Sequence, residues 1–377
     1  MLPLFWDETH HALAASTQRW VERHITPHAA QWEEDGLFDR GLYRAAGEAG
    51  ILGVSYPEAD GGSGGDVLHG LIVGEALVRG GSVGTAMGLG SHAISLPPIL
   101  ALGTAAQKAR WVPPVLRGEQ IICLGITEPG AGSDVAGIRT RAVRDGDHYV
   151  VNGSKTFITS GCRADLAVVA VRTGPERHAG VSLLVIERGT PGFTTGTPLK
   201  KMGWWASDTG ELFFEDCRVP AANLLGSESG GFLGIMANFV SERLLLACTC
   251  VAMARQALEA ADAHVKERMA FGRPLEGFQV TRHRIAEMAT REAAARSFVS
   301  VIAERARRGE DVTVDVAMAK NVAVDACSYV TDAAVQLFGG MGYMRESLVE
   351  RLYRDARLFP IGGGTTEIMR ELISKRR

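Results

Sequence analysis

Hydrophobic positions recur at helical spacing through the first third of the chain. From about residue 8 to 120 the pattern is helical, with Leu13, Trp20, Val21, His24 and Ile25 at helix spacing before Pro27 kinks or ends the first helix. The Gly-rich interruption Asp60-Gly-Gly-Ser-Gly-Gly-Asp66 is a loop that separates helices, and no repeat follows it. From about 121 to 230 the period shortens: His148 to Val151, Asp165 to Val171, Val181 to Ile186 and Glu211 to Val219 are β-rich runs. Turn signals at Asp145-Gly146, Gly174-Pro175, Gly189 to Gly192 and Pro198 punctuate them. From about 231 onward, Ala-, Arg- and Leu-rich segments near 232–266, 278–308 and 313–337 predict long helices.

The pattern predicts an α+β chain of three parts: an N-terminal helical domain (1–120), a central antiparallel β sandwich or barrel (121–230) and a C-terminal four-helix bundle (231–377). Strand and helix do not alternate, which argues against a doubly wound nucleotide fold.

Composition narrows the function. The 377 residues carry 40 Lys plus Arg against 43 Asp plus Glu, a net charge of -3, so no basic stripe is available to grip nucleic acid. At 46% hydrophobic, with 45 Gly and 14 Pro, the chain is neither disordered nor fibrous. The longest nearly apolar run, Leu244 to Ala254, falls short of the roughly 20 residues that cross a bilayer, so no membrane span is expected. The start shows no export signal and the terminal Lys375-Arg376-Arg377 does not match a peroxisomal tail. Six Cys without a CxxC pair suggest neither a metal site nor a disulfide framework, and a reducing cytoplasm is the expected compartment.

The chemistry concentrates in Leu124-Gly-Ile-Thr-Glu-Pro-Gly-Ala-Gly-Ser-Asp-Val-Ala-Gly137, a strand-like run entering a Gly-rich turn. Glycines let a backbone approach a flat ligand, and bared N–H groups with Thr127 and Ser133 can bond it; a plain tight turn is the alternative. Val135 stands where a Rossmann fingerprint needs its third Gly.

This stretch resembles the flavin-binding signature of the acyl-CoA dehydrogenase family. So do Tyr149 to Gly161, Met202-Gly-Trp-Trp-Ala-Ser-Asp-Thr209, Phe214 to Pro220, Arg268-Met-Ala-Phe-Gly-Arg-Pro274, Gln336-Leu-Phe-Gly-Gly-Met-Gly-Tyr343 and Arg354-Asp-Ala356. The resemblance spans nearly the whole chain. It implies bound FAD, contacted by Ile126, Thr127, Gly132 and Ser133 and flanked by Phe157, where the family commonly has Trp, and Thr159. It further implies that Arg268, Phe271 and Gln279 reach the diphosphate and adenine of FAD held by a neighbouring subunit, with Gln336, Gly340, Thr365 and Glu367 completing it. A homo-oligomer, expected as a tetramer, follows. Read without the resemblance, Arg268 and Gln279 are solvated helix residues, Phe271 a core residue, and Trp204 and Trp205 packing residues.

Oxidising an acyl thioester between its α and β carbons needs a base and a hydride acceptor, and no side chain accepts a hydride. Many family members carry the base as a Glu just before the Gly-Thr of the C-terminal motif, which here reads Ile361-Gly-Gly-Gly-Thr-Thr-Glu-Ile-Met369, with Gly363 in that place. Glu242 is the candidate instead. Ile235, Phe239, Glu242 and Leu246 are spaced i, i+4, i+7 and i+11, which sets a carboxylate in an apolar stripe. Desolvation there raises its pKa and strengthens it as a base; pairing with a buried Arg is the alternative. The resemblance favours the base, because isovaleryl-CoA and long-chain acyl-CoA dehydrogenases carry theirs in a Glu-Arg-Leu context matched by Glu242-Arg243-Leu244.

By the same resemblance the Gly363 N–H polarises the thioester carbonyl, and Ser133, Arg243 and Gly362 contact substrate. Gly362 and Gly363 leave room for a long or branched acyl chain, or merely permit an unusual backbone. The expected reaction converts an acyl-CoA to its trans-2-enoyl-CoA, with electrons passing to electron-transfer flavoprotein. An oxidase or monooxygenase on the same scaffold, a substrate bound to a carrier protein, and a non-catalytic thioester- or flavin-binding protein are the rival readings.

Overall fold

The computed structural model describes residues 1–376, the side chains of Leu233 and Ala237 excepted. Eight helices open the chain: α1 (Glu8–His24), α2 (Ala29–Asp35), α3 (Gly41–Glu48), α4 (Val67–Val78), α5 (Val83–Leu89), α6 (His92–Ser95), α7 (Pro97–Leu102) and α8 (Ala105–Leu116). α1 begins at Asp7, whose carboxylate accepts from the His10 N–H while the His10 ring accepts from the Asp7 N–H; Asp66 and His69 repeat the device at α4. The two histidine rings lie 4.1 Å apart, tilted by 38°, where α1 meets α4. His10, His69 and Asp66 thereby gather into a polar cluster that the sequence reading missed.

The middle of the chain is one mixed sheet of eight strands: β1 (Ile122–Gly125), β2 (Arg141–Asp145), β3 (His148–Thr159), β4 (Leu166–Arg172), β5 (Val181–Glu187), β6 (Phe193–Thr195), β7 (Thr209–Pro220) and β8 (Leu224–Leu225). The strand order is β6-β7-β3-β2-β4-β5-β8, with β1 also on β4. Most neighbours are antiparallel, as the hairpin signals predict, but β1 and β2 both run parallel to β4. Because β5 occupies the opposite edge of β4, β1 and β2 lie in tandem along one edge, β1 against 166–169 and β2 at Arg172. The intervening Gly-rich segment therefore leaves the sheet and returns to it. No local pattern announces these pairings, because they join residues 44 positions apart for β1 and 31 for β2.

The chain then returns to helices: α9 (Gly231–Glu267), α10 (Gln279–Arg307), α11 (Thr313–Phe338), α12 (Leu348–Ala356) and α13 (Thr366–Arg376). α9 is long and apolar enough to cross a membrane, yet most of its apolar window is buried inside the protein. Leu244, Ala247, Cys248, Val251, Ala254 and Ala257 are all shielded, and α4, α10 and α11 pack around it. A helix that is apolar on every side is what such a central position demands. All six cysteines are free.

A buried charge cluster joins the parts. Glu33 of α2 meets Arg354 of α12 at 3.0 Å, and Asp355 accepts the Trp204 N–H at 2.6 Å. The Arg354 guanidinium lies 3.6 Å from the centre of the Trp205 ring.

Candidate active site

A cavity of about 750 Å³ opens where the three parts meet. Val73, Gly74 and Leu77 of α4 and Ala86 and Met87 of α5 line one side; Phe239, Glu242, Arg243, Leu245 and Leu246 of α9 line another. Ile126, Thr127, Gly132, Ser133, Phe157 and Thr159 line the sheet side, and Gly362, Gly363 and Thr365 close the C-terminal side. Its walls are chiefly apolar with few polar groups, the composition of a small-molecule site.

Glu128 builds the sheet side. Its buried carboxylate accepts from the Arg139 N–H at 2.6 Å and the Thr140 N–H at 2.9 Å, which pins the two ends of the Gly-rich excursion together. Lys155, fully buried, donates to Glu128 at 2.8 Å and to the Ile126 carbonyl at 3.1 Å. Burial opposes the Glu128 charge, but Lys155 and these donors hold its pKa below the usual carboxylate value. The Thr156 N–H adds a bond to the Thr127 carbonyl at 2.9 Å.

Beside this frame, a bulge of β3 between Lys155 and Ile158 turns Phe157 outward at φ 60, leaving its ring 68% exposed against the cavity. Gly132 has open space where a Cβ would point. The Thr127, Ser133 and Thr159 hydroxyls take no partner among the described residues. A flat aromatic face, an open glycine and uncommitted hydroxyls along one wall fit a planar heterocycle with polar edges, as FAD requires.

Glu242 stands across the cavity. Its Oε2 is buried without a hydrogen-bond partner and the group joins no ion pair among the described residues. Burial pushes its pKa up to about 7, opposed by the charges of Arg243 and Lys320. Pairing with a buried Arg, the alternative for this position, does not occur: Arg243 Nε donates to the Gly363 carbonyl at 3.1 Å, and its guanidinium lies 5.2 Å from the centre of the Phe239 ring.

Gly363 sits at φ 64, and a Cβ there would meet Leu246 Cδ1 at 2.4 Å. The tip of Leu246 thus enters the space expected from a missing side chain at 363, while a Cβ on Gly362 would sit in ordinary contact with Leu358 at 3.7 Å. The Gly363 N–H takes no acceptor among the described residues, whereas the Ile361 and Gly362 N–H groups both return to the Leu358 carbonyl. Thr365 accepts the Ile368 N–H and caps α13, with exposed Glu367 on its first turn outside the cavity.

Arg268, Phe271, Gln279, Gln336 and Gly340 also lie outside the cavity. They gather at one end of the helical bundle, where His264 stacks on Phe338 at 4.0 Å, linking the ends of α9 and α11. All five are exposed, and the Phe271 ring, expected in a core without the resemblance, is 96% exposed on the short hairpin after α9. Trp204 is buried and lines the cavity; Trp205 lies under the guanidinium groups of Arg345 and Arg354. The sequence reading gave Lys155 and Lys320 no role and placed Leu246 only in the apolar stripe; their contacts with the site come from distant segments.

Comparison with known proteins agrees with this geometry. Residues 7–119, 123–217 and 229–377 match the N-terminal, middle and C-terminal domains of acyl-CoA dehydrogenase. The chain is 38% identical over 369 residues to a mitochondrial long-chain specific acyl-CoA dehydrogenase of Sus scrofa, covering 97% of this chain and 86% of that one. It superposes on a probable acyl-CoA dehydrogenase from Mycobacterium abscessus with a TM-score of 0.97 at 52% identity, covering 99% of both chains. A structure described as the electron transferring flavoprotein of Acidaminococcus fermentans aligns at 37% identity and a TM-score of 0.95, over 98% of this chain and 97% of that chain.

Proposed function

The chain belongs to the acyl-CoA dehydrogenase family, and from that premise we propose that it converts an acyl-CoA to its trans-2-enoyl-CoA with Glu242 as the base that removes the α proton. Members of this family are FAD-dependent flavoproteins that dehydrogenate acyl-CoA. The observation that carries the reading is the unpartnered Glu242 carboxylate, raised to a pKa of about 7 by burial and lying in the wall of an apolar cavity beside Gly363, whose N–H takes no acceptor among the described residues.

A carboxylate with no competing hydrogen bond is free to accept a proton, and a pKa near neutrality matches a base that must be ionised before reaction yet basic enough to take a carbon-bound proton. Transfer becomes feasible when the thioester carbonyl is polarised, because negative charge then collects on oxygen as the α proton leaves. The Gly363 N–H is the donor proposed for that oxygen. Arg243 holds the adjacent carbonyl and so orients the strand of backbone that presents the donor. Ile126, Thr127, Gly132, Ser133, Phe157 and Thr159 would hold the flavin, which supplies the hydride acceptor when bound. The apolar groups of α4, α5 and α9 take the acyl chain and exclude water from the carboxylate.

The exposed bundle end completes the reading. Phe271, Val280, Met341 and Tyr343 are respectively 96%, 70%, 65% and 83% exposed, an apolar surface that a second copy would cover. Arg268, Phe271, Gln279, Gln336, Gly340 and Glu367 are proposed to contact FAD across that interface in a homotetramer, and electron-transfer flavoprotein is the proposed electron acceptor.

Anaerobic titration of the purified protein with medium, long and branched acyl-CoAs, following the visible flavin band, tests the proposal. Bleaching by one acyl class is the expected result. A yellow protein that no CoA thioester bleaches would overturn it in favour of carrier-bound substrates or oxidase chemistry.

A further inference from the structure

One buried charge near the cavity has no carboxylate partner. Lys320, on α11, is 0% exposed and forms no salt bridge among the described residues. Burying an ammonium is unfavourable unless its donors are used, and here Nζ donates to the Phe359 carbonyl at 3.0 Å and the Gly364 carbonyl at 2.6 Å. Those two carbonyls are the two ends of one turn, and Gly363 lies inside it.

Backbone bonds from Ile361 and Gly362 to Leu358 and from Thr366 to Pro360 close the first part of the turn and its exit, but the Gly363 and Gly364 N–H groups make none among the described residues. Gly363 and Gly364 adopt φ 64 and 92, where glycine has a broad choice of backbone states. Arg243 takes the Gly363 carbonyl from the α9 side while Lys320 takes the flanking carbonyls from the α11 side. With those carbonyls engaged by two buried cations, the peptide between Gly362 and Gly363 is left with its N–H uncommitted. Lys320 Cε is also only 3.7 Å from the position of a Cβ on Gly363, the same distance as Glu242 Oε1.

We propose that Lys320 is a positioning residue of the reaction: by tying both ends of the 359–364 turn to α11, it aims the Gly363 N–H at the thioester carbonyl opposite Glu242. This rests on the reading of Glu242 as base and Gly363 as donor. The same ammonium adds positive charge beside Glu242. Groups that act on Lys320 are Glu242, Arg243 and the Cys250 thiol, all of α9, with Cys327 of α11 paired to Cys250; the turn presents backbone carbonyls. Arg243 and Lys320 are the charges that act on Glu242.

The test compares Lys320→Met, Lys320→Arg and Glu242→Gln in the flavin-loaded enzyme. Alongside kinetics, the infrared carbonyl band of a bound enoyl-CoA labelled with carbon-13 at the thioester carbon reads polarisation of that carbonyl directly. For Lys320→Met, kcat should fall about 10- to 100-fold, less than the roughly 100- to 1000-fold of an oxyanion donor removed outright, because the donor is displaced but still present, with KM changed less than about threefold. The carbonyl band should move toward its frequency in free solution. Losing a cation beside Glu242 should also move the acid limb of kcat/KM to higher pH. Lys320→Arg, which keeps charge and donors, should restore most of the band shift.

A Lys320→Met enzyme with wild-type kcat and an unmoved carbonyl band would overturn the proposal. If that variant fails to fold, Lys320→Leu, which likewise removes both the donors and the charge, carries the same readings, and wild-type values there overturn it equally. The two levels of argument separate cleanly. Normal turnover by Glu242→Gln refutes the base assignment, whereas an inactive Glu242→Gln beside an unaffected Lys320→Met refutes the role of Lys320 alone.

Discussion

Glu242 Oε1 lies 3.7 Å from the point that a Cβ on Gly363 would occupy, so a carboxylate carried by α9 reaches the ground beside the C-terminal Gly-rich turn. Leu246, one helical turn further along α9, occupies the rest of that ground. Together the two side chains crowd the ground a residue at 363 would claim, and the backbone there, at φ 64, favours glycine whatever the space.

Gly363→Ala should therefore be costly. The new methyl would fall 2.4 Å from Leu246 Cδ1 in a backbone at φ 64. A loss of about 1–3 kcal/mol is expected from backbone strain and overpacking, read as a shifted urea midpoint. Activity should fall further than stability, since the Gly363 N–H shifts with the turn.

The pH dependence follows from Glu242. A base must be ionised to act, so kcat/KM should rise as pH passes about 7 and level off above it. Glu242→Gln should remove turnover while leaving the flavin bound. Stability runs in the opposite sense. A carboxyl whose folded pKa is raised above its unfolded value costs nothing while protonated in both states, and destabilises as pH climbs from the unfolded value of 4.5 through about 7. Well above pH 7, Glu242→Gln should be more stable than the parent by on the order of 3 kcal/mol, an advantage that vanishes below pH 4.5. Equal denaturation midpoints at pH 8 would contradict the desolvation argument.

How much of this was legible beforehand depends on the range of the contact. The helix, sheet, helix order and the α9 stripe of Ile235, Phe239, Glu242 and Leu246 are local periodicities, and Phe239, Glu242 and Leu246 do line the cavity. The parallel pairing of β1 and β2 on β4 was not legible, because antiparallel hairpins dominate the local signal. Lys320 lies in an Ala- and Val-rich helix, where a lone Lys reads as a solvated face; only the turn folded over it, forty residues later, shows why it is buried. The room expected beside Gly363 was misjudged for the same reason, since Leu246 enters it from another helix.

The frame behind the flavin wall offers a separate test. Lys155→Met would strand the buried Glu128 carboxylate without its cation while leaving the Arg139 and Thr140 donors in place. Removing one partner of a buried pair typically costs about 3–5 kcal/mol. Because Glu128 gathers both ends of the Gly-rich excursion, part of that loss should appear as weaker flavin retention. The expected result is a lowered flavin-to-protein absorbance ratio after gel filtration, with helical circular dichroism unchanged. Thr127→Ala, which removes one hydroxyl from the wall, should weaken flavin binding by about tenfold without destabilising the fold.

The Glu33–Arg354 pair tests how the outer helices are held to one another. Arg354 is 6% exposed and Glu33 3% exposed, and they meet at 3.0 Å across a sequence separation of 321 residues. Ser82 also donates to Glu33 at 2.7 Å, and Arg354 stacks on Trp205. Arg354→Met keeps much of the side-chain volume and the stacking surface but leaves Glu33 charged and buried, so a loss of about 3–5 kcal/mol is expected. Asp355, raised by burial and by the charge of Glu33, should lose one opposing cation in this variant and become harder still to ionise. The Arg354→Met enzyme should accordingly lose more stability at pH 8 than at pH 5, where Asp355, pushed up to about 7, is protonated and leaves no charge there for Arg354 to oppose. A double variant, Arg354→Met/Glu33→Gln, should regain a large part of the loss at pH 8, because the stranded carboxylate is gone. If the double variant were no more stable than Arg354→Met alone, the buried charge would not be the source of the destabilisation, and lost packing around Trp205 would have to account for it.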